Sequence, residues 1–260
     1  MSEYHNLKLE KRGHTAIITL CNPPAHTWTE ESLQALARLV RDLDEDRAVY
    51  ALVITGDGDK FFSAGADLKL FADGDKSRAR EMARRFGEAF ETLSDFRGVS
   101  IAAINGYAMG GGLEAALACD LRIAEEQAQL ALPEATVGLL PCAGGTQNLP
   151  WLVGEGWAKR MILLGERIEA ATALRIGLVE DVVARGAALE TALRWAQRVE
   201  GQSPSSVAAC KKLIQGARAN PLKQILPQER QAFIDLFDTL DQKEGVNAFL
   251  QKRKPEWRNG

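Results

Sequence analysis

Long apolar runs are missing from this chain. Nowhere do roughly 18 apolar residues follow one another, the least a membrane-crossing helix needs. Histidine is scarce, with three in 260 residues, and the four cysteines, Cys21, Cys119, Cys142 and Cys210, lie far apart in sequence. That scarcity argues against a disulfide framework and against a structural metal site. The amino-terminal MSEYHNLKLEKRG has no apolar core of the kind a secretory signal carries, so a cytoplasmic location is expected. An excess of one charge sign is also absent. The 32 basic and 35 acidic residues leave a net charge of -3, and neither nucleic acid nor an anionic membrane is expected as a partner. Apolar residues, by contrast, make up 46% of the chain, enough for a sizeable core in one large domain or one domain with an appendage.

The patterning is that of an α/β chain. LKLE before Gly13 and TAIITLC (15–21) predict a hairpin of two strands. Thr29 then precedes EESLQALARLVRDL, where Leu33, Leu36, Leu39, Val40 and Leu43 share one helical face. ALVITG (51–56) reads as a buried strand and SAGAD (63–67) as a loop. Met82, Phe86, Phe90 and Leu93 recur at helical spacing between Arg78 and Leu93, which predicts a helix covering a sheet. VSIAAING (99–106), DLRIA (120–124) and QLALPE (129–134) are further short strands. Beyond them the punctuation is helical except for LVEDVV near 178–183. Residues 187–216 read as two helices broken at Ser203-Pro204, and 220–250 as one or two more, with a stripe of Phe233, Leu236, Phe237 and Leu240. This helical region packs on the first part of the chain or on a neighbouring subunit.

The chemistry concentrates in NGYAMGGGLEAALACD (105–120). Glycine is costly inside a helix and a carboxylate is costly inside a core, yet three glycines are followed by Glu114 in an apolar run. On a helix starting near Gly111, Glu114 lies about one turn in. Unpaired N–H groups there lower its pKa while burial raises it, and the balance suits a general base. A structural carboxylate bonded to backbone at a helix start is the other reading. Gly110 to Gly112 bring backbone N–H groups close to a ligand, or serve close helix-to-sheet packing. SAGAD is a second small-residue loop after a strand, and the two loops can each aim one N–H at a single oxygen. Glu134, after Pro133, is a second acid/base opposite Glu114, a cap of the next helix turn or the partner of a lysine. His26 in NPPAHTW reads more readily as a turn residue than as a catalyst, Cys142 has no base near it in sequence, and no Gly-x-Ser-x-Gly elbow occurs.

Three stretches, GDGDKFFSAGADLKLF (56–71), AAINGYAMGGGLEAALACDLRIA (102–124) and LPEATVGLLPCAGGTQNL (132–149), resemble the signature blocks of the enoyl-CoA hydratase/isomerase (crotonase) family, in order and at the expected spacing. The resemblance implies a crotonase-like spiral of strand-strand-helix repeats over residues 1–199, binding coenzyme A thioesters and carrying catalysis. A helical oligomerisation region over 200–260 would build a homotrimer or a hexamer of two trimers. The thioester carbonyl would be held by the N–H groups of Ala66 and Gly111. Glu114 and Glu134 match both hydratase glutamates, which implies hydration of a 2-enoyl-CoA to a 3-hydroxyacyl-CoA, a hydro-lyase reaction. Glu114 would deprotonate the water that attacks C3, and Glu134 would also hold that water and protonate C2. No cofactor or metal is required, because coenzyme A is part of the substrate. Coenzyme A contacts are implied for Ala25 and His26 in PAHTW, for Ala64, Ala66, Asp67 and Leu68, and for Lys69 against a phosphate, with Lys252 or Arg253 as a further cation. Cys142 stands where such hydratases usually have glycine, and HTW follows PPA where asparagine, alanine and leucine are common. Isomerisation or other enolate chemistry, and a non-catalytic acyl-CoA-binding or RNA-associated role, are the alternatives within the same family.

Overall fold

In the computed structural model, which describes residues 4–260, the chain opens with the expected hairpin. β1 (Leu7–Arg12) pairs antiparallel with β2 (Thr15–Leu20), with Leu7 opposite Leu20. α1 (Glu30–Glu45) follows, and the Thr29 hydroxyl accepts the Ser32 N–H at its start.

From there one unit repeats. β3 (Ala51–Gly56), β4 (Phe61–Ser63) and α2 (Lys76–Asp95) form the first copy. β5 (Val99–Ile104), β6 (Tyr107–Met109) and α3 (Gly111–Ala118) form the second. β7 (Leu121–Glu125), β8 (Gln129–Ala131) and α4 (Gly145–Leu163) form the third. The first strand of each copy joins a six-stranded sheet, where β3, β5 and β7 run parallel side by side. The second strand joins a separate four-stranded sheet built on β4, β6 and β8. The chain therefore turns a corner inside every repeat, and the corner demands small residues. A Cβ on Gly106 would lie 2.2 Å from the Lys60 carbonyl oxygen, and the neighbouring Asn105 amide donates to the carbonyls of Gly56 and Gly58.

This second sheet is where the structure departs most from the patterning. FFS and YAM form strands of three residues each, too short to show a period of two. The strand expected over 129–134 ends at Ala131, since Pro133 has no N–H for a ladder and the chain enters a 3-10 turn, Glu134–Val137.

β9 (Ile168–Glu169), α5 (Ala170–Arg175), β10 (Asp181–Val183) and α6 (Ala188–Glu200) complete the layers. α6 presses Ala188, Ala192 and Ala196 onto Val53, Ile101 and Ile123 on one face of the large sheet. Leu36, Leu39 and Phe90 pack with Leu52, Ile54 and Ile104 on the other. The break at Ser203 separates α6 from α7 (Pro204–Gly216), as the Ser-Pro pair implies. α7 docks on the repeats: the Lys211 ammonium reaches the Phe96 and Gly98 carbonyls and the Asp120 carboxylate. α8 (Leu222–Asp235), the 3-10 turn Leu236–Asp238 and α9 (Leu240–Leu250) instead keep Phe233, Phe237 and Phe249 exposed. No helix among the described residues is long and apolar enough to cross a membrane.

Candidate active site

The two glycine-containing loops meet because both follow adjacent strands of the small sheet. β4 leads into SAGAD and β6 into GGG. They approach so closely that a Cβ on Gly112 would fall 2.2 Å from the Ser63 carbonyl oxygen, and one on Gly65 would fall 3.1 Å from the Gly111 nitrogen. Only glycine permits that contact, and Gly65 and Gly110 also have positive φ, 89° and 52°.

Ala66 and Gly111 both line a cavity of about 860 Å³. Ala66 is bridged to Trp28 through its neighbours: Trp28 donates to the Gly65 carbonyl and Asp67 donates to the Trp28 carbonyl. In a parallel bridge of this kind the flanked residue turns its own N–H to the opposite side. Gly111 is the first residue of α3, so no carbonyl of its helix accepts its N–H. Two backbone N–H groups at the cavity are thus without an acceptor among the described residues. Trp28, read from sequence only as part of a loop, braces the second donor: its indole N–H donates to the Gly111 carbonyl at 3.2 Å.

Glu114 stands in the first turn of α3 and is 3% exposed. Its Oε1 accepts the N–H groups of Ala143 and Gly145, at 2.8 and 2.9 Å. Burial pushes its carboxyl above the usual range while those two N–H groups pull it back. Oε2 has no protein donor among the described residues and is left to a ligand or water. Gly145 is required by this geometry, because a Cβ there would lie 2.9 Å from Glu114 Oε1. Gly145→Ala is expected to displace the carboxylate and lower turnover about tenfold or more, the scale that a misplaced catalytic group costs. Steady-state kinetics beside a thermal melt checks this, and an unchanged rate in a folded variant would contradict it.

Glu134 opens the 3-10 turn after Pro133 and lines the same cavity. Burial, with the Glu114 charge adding to it, pushes its carboxyl up to about 7, and its Oε2 is buried without a hydrogen-bond partner. The two carboxylates therefore share one cavity in unlike settings. One is held by backbone donors, and the other is poised to carry a proton near neutrality.

Of the remaining residues, Ala64, Asp67 and Leu68 line the cavity as well. Ala25 and His26 do not. The Ala25 carbonyl accepts the Ala64 N–H and the His26 carbonyl accepts the Ser63 hydroxyl, so the backbone of both braces the SAGAD loop, while the buried His26 ring donates from Nε2 to the Asp57 carbonyl at 2.8 Å. Lys69 is exposed beside the lining, and Arg253 is engaged with Glu244 of its own chain at 2.6 Å. Cys142 lines the cavity, where burial and then the two glutamates push its thiol up to about 11. That keeps it protonated and a poor nucleophile.

The family model for enoyl-CoA hydratase/isomerase matches residues 10–260. A solved structure of Pseudomonas aeruginosa DspI is similar with a TM-score of 0.96 and 67% identity, over 99% of this chain and 98% of that one. The short-chain-enoyl-CoA hydratase of Clostridium acetobutylicum is 36% identical, with 98% of each chain covered. The 2,3-dehydroadipyl-CoA hydratase of Escherichia coli is 39% identical, over 97% of this chain and 98% of its own. Hydro-lyase chemistry on acyl-CoA substrates is named for the two hydratases, and the repeats above are the α/β crotonase fold with its helical carboxy-terminal region. Sequence, repeat architecture and matched length agree that this chain belongs to the enoyl-CoA hydratase/isomerase family.

Proposed function

We propose that this protein catalyses the reversible addition of water to a 2-enoyl-CoA, giving a 3-hydroxyacyl-CoA. The observation that carries the reading is the pair of carboxylates in one cavity: Glu114 held by two backbone donors, and Glu134 with a pKa near 7 and a free buried oxygen. The thioester oxygen would sit on the N–H groups of Ala66 and Gly111. As water adds, charge builds on that oxygen, and preorganised donors stabilise the enolate more than the ground-state carbonyl. Glu114 Oε2 takes a proton from water while the oxygen forms its bond to C3. The C2–C3 π pair moves toward the thioester, and C2 then receives a proton from Glu134. The net change is the addition of one water: Glu114 ends protonated and Glu134 ionised, a proton passed from Glu114 to Glu134 restores the pair, and no redox partner is needed.

Incubation with crotonyl-CoA and longer enoyl-CoAs, following loss of the conjugated thioester absorbance, is expected to show turnover with a product heavier by one water. A product of unchanged mass would instead mark isomerisation, and binding without turnover an acyl-CoA-binding role.

Assembly belongs to the same reading. Phe249 and Leu250 of α9 are 83% and 72% exposed, and Phe233 of α8 forms an edge-on pair with Phe237 of the following 3-10 turn, both exposed. Apolar surface of this kind marks an interface. Together with the family resemblance it supports a homotrimer, or a hexamer of two trimers, which sedimentation equilibrium would distinguish from a monomer.

A further inference from the structure

The start of α2 reads KSRAREMARRFGEAF (76–90), and most of its outward positions are charged. Those charges pair with one another: Arg84 with Glu81 and Glu88, Arg85 with Glu81, and Arg78 with Asp73. Ala79, Ala83 and Phe86 interrupt the pattern at spacings of four and three, which puts them on one helical face. All three line the cavity. Phe86 marks the inner end of this stripe, since a Cβ on Gly111 would meet its ring at 2.9 Å. The stripe then runs away from the thioester site for about 10 Å along the helix axis, past Ala83 to Ala79.

The facing wall is the segment after the 3-10 turn, where Val137, Leu139 and Leu140 are 53%, 40% and 66% exposed. Large apolar side chains left so open around a cavity are unfilled binding surface. Among the described residues lining this cavity there is no lysine, arginine or histidine. The unpartnered Glu134 oxygen and Glu114 lie at its inner end.

We propose that Ala83 and Ala79 set the acyl-chain length this site accepts, by holding open an apolar channel between α2 and the Val137–Leu140 segment that takes an uncharged aliphatic tail. The proposal rests on the acyl-CoA reading above and names its substrate class. A methylene moved from water into such a channel tightens binding about fourfold. A tail ending in a carboxylate would meet apolar side chains and the Glu114 and Glu134 carboxyls with no cation to pair with it, in contrast to the dicarboxylic acyl group named for the E. coli relative.

The test measures Kd by calorimetry for saturated straight-chain acyl-CoAs from about four to about twelve carbons, and for adipyl-CoA, with wild type, Ala83→Phe and Ala79→Phe. In wild type, Kd is expected to fall about three- to fourfold per methylene before it levels. Ala83→Phe should level it at a shorter chain than Ala79→Phe does, with at least a tenfold loss for the longest chains. Adipyl-CoA should bind at least tenfold more weakly than hexanoyl-CoA. A ladder flat from the shortest chain, a loss equal at every length in both variants, or adipyl-CoA binding as well as hexanoyl-CoA would each overturn the channel. Saturated esters need no turnover, so a steep ladder in a protein that hydrates nothing would defeat the hydratase reading and leave the channel standing.

Discussion

Replacing Glu114 with glutamine is expected to lower kcat for enoyl-CoA hydration by about 10³-fold, within the range a positioned general base contributes. The substitution is nearly isosteric, and its carbonyl oxygen can still accept the Ala143 and Gly145 N–H groups that now go to Oε1. What changes is the other atom. An NH₂ replaces Oε2, so the group facing the water donates a hydrogen bond and cannot take a proton. Because the wild-type carboxyl is disfavoured by burial, the neutral amide should not destabilise the fold. A thermal melt beside saturating-substrate kinetics separates the two effects. A folded variant that turns over at the wild-type rate would remove Glu114 from the chemistry.

Glu134→Gln should be comparably damaging to turnover and should also change its pH dependence. With its carboxyl at about 7, Glu134 is protonated and able to donate on the acid side of neutrality. Wild-type kcat for hydration should therefore decline as pH rises through about 7. The productive state carries one proton on the pair, so the apparent pKa values belong to both groups together. The residual rate of Glu134→Gln should lose this alkaline limb. Stability supplies an independent reading. The folded-state pKa lies above the unfolded value near 4.5, so the stability linked to this proton is fully present below 4.5 and is lost as pH rises through about 7. Glutamine cannot ionise, and the variant should melt higher than wild type at about pH 8 and close to it at about pH 4. Equal melting offsets at both pH values, with an unchanged kcat profile, would show that Glu134 is neither buried as an acid nor used as one.

Such trade-offs explain why parts of the site stand out in the sequence. Three glycines beside a glutamate in LEAALAC contradict local preference, and contradictions of that kind collect where backbone must approach backbone or ligand. Gly112 against the Ser63 carbonyl is that approach. α1 and α2 were equally legible, since their apolar residues recur at helical spacing and Thr29 precedes the first; the Asp75 cap of the second emerged only in the fold. The small sheet was not, because FFS, YAM and QLA are too short to carry a period. His26, implied by resemblance at the coenzyme A pocket, turns its ring to the Asp57 carbonyl, and the indole of Trp28 two residues on reaches Gly111. Neither orientation has any signature in a one-dimensional pattern.

The alternation of strands and helices, the family blocks, and the groups chemically expensive enough to need a reason are all readable along the chain. Those properties are local, set by the period of a helix or strand and by what glycine, proline and carboxylate each cost. Tertiary structure alone decided that the donors to Glu114 come from residues 29 and 31 positions further along the chain. It also decided that Glu134 enters the same cavity with an unmet oxygen, and that Ala79 and Ala83 face that cavity while their charged neighbours pair elsewhere. Those outcomes depend on how repeats stack and where the chain turns its corners, and contacts between stacked repeats join residues that sequence spacing does not relate.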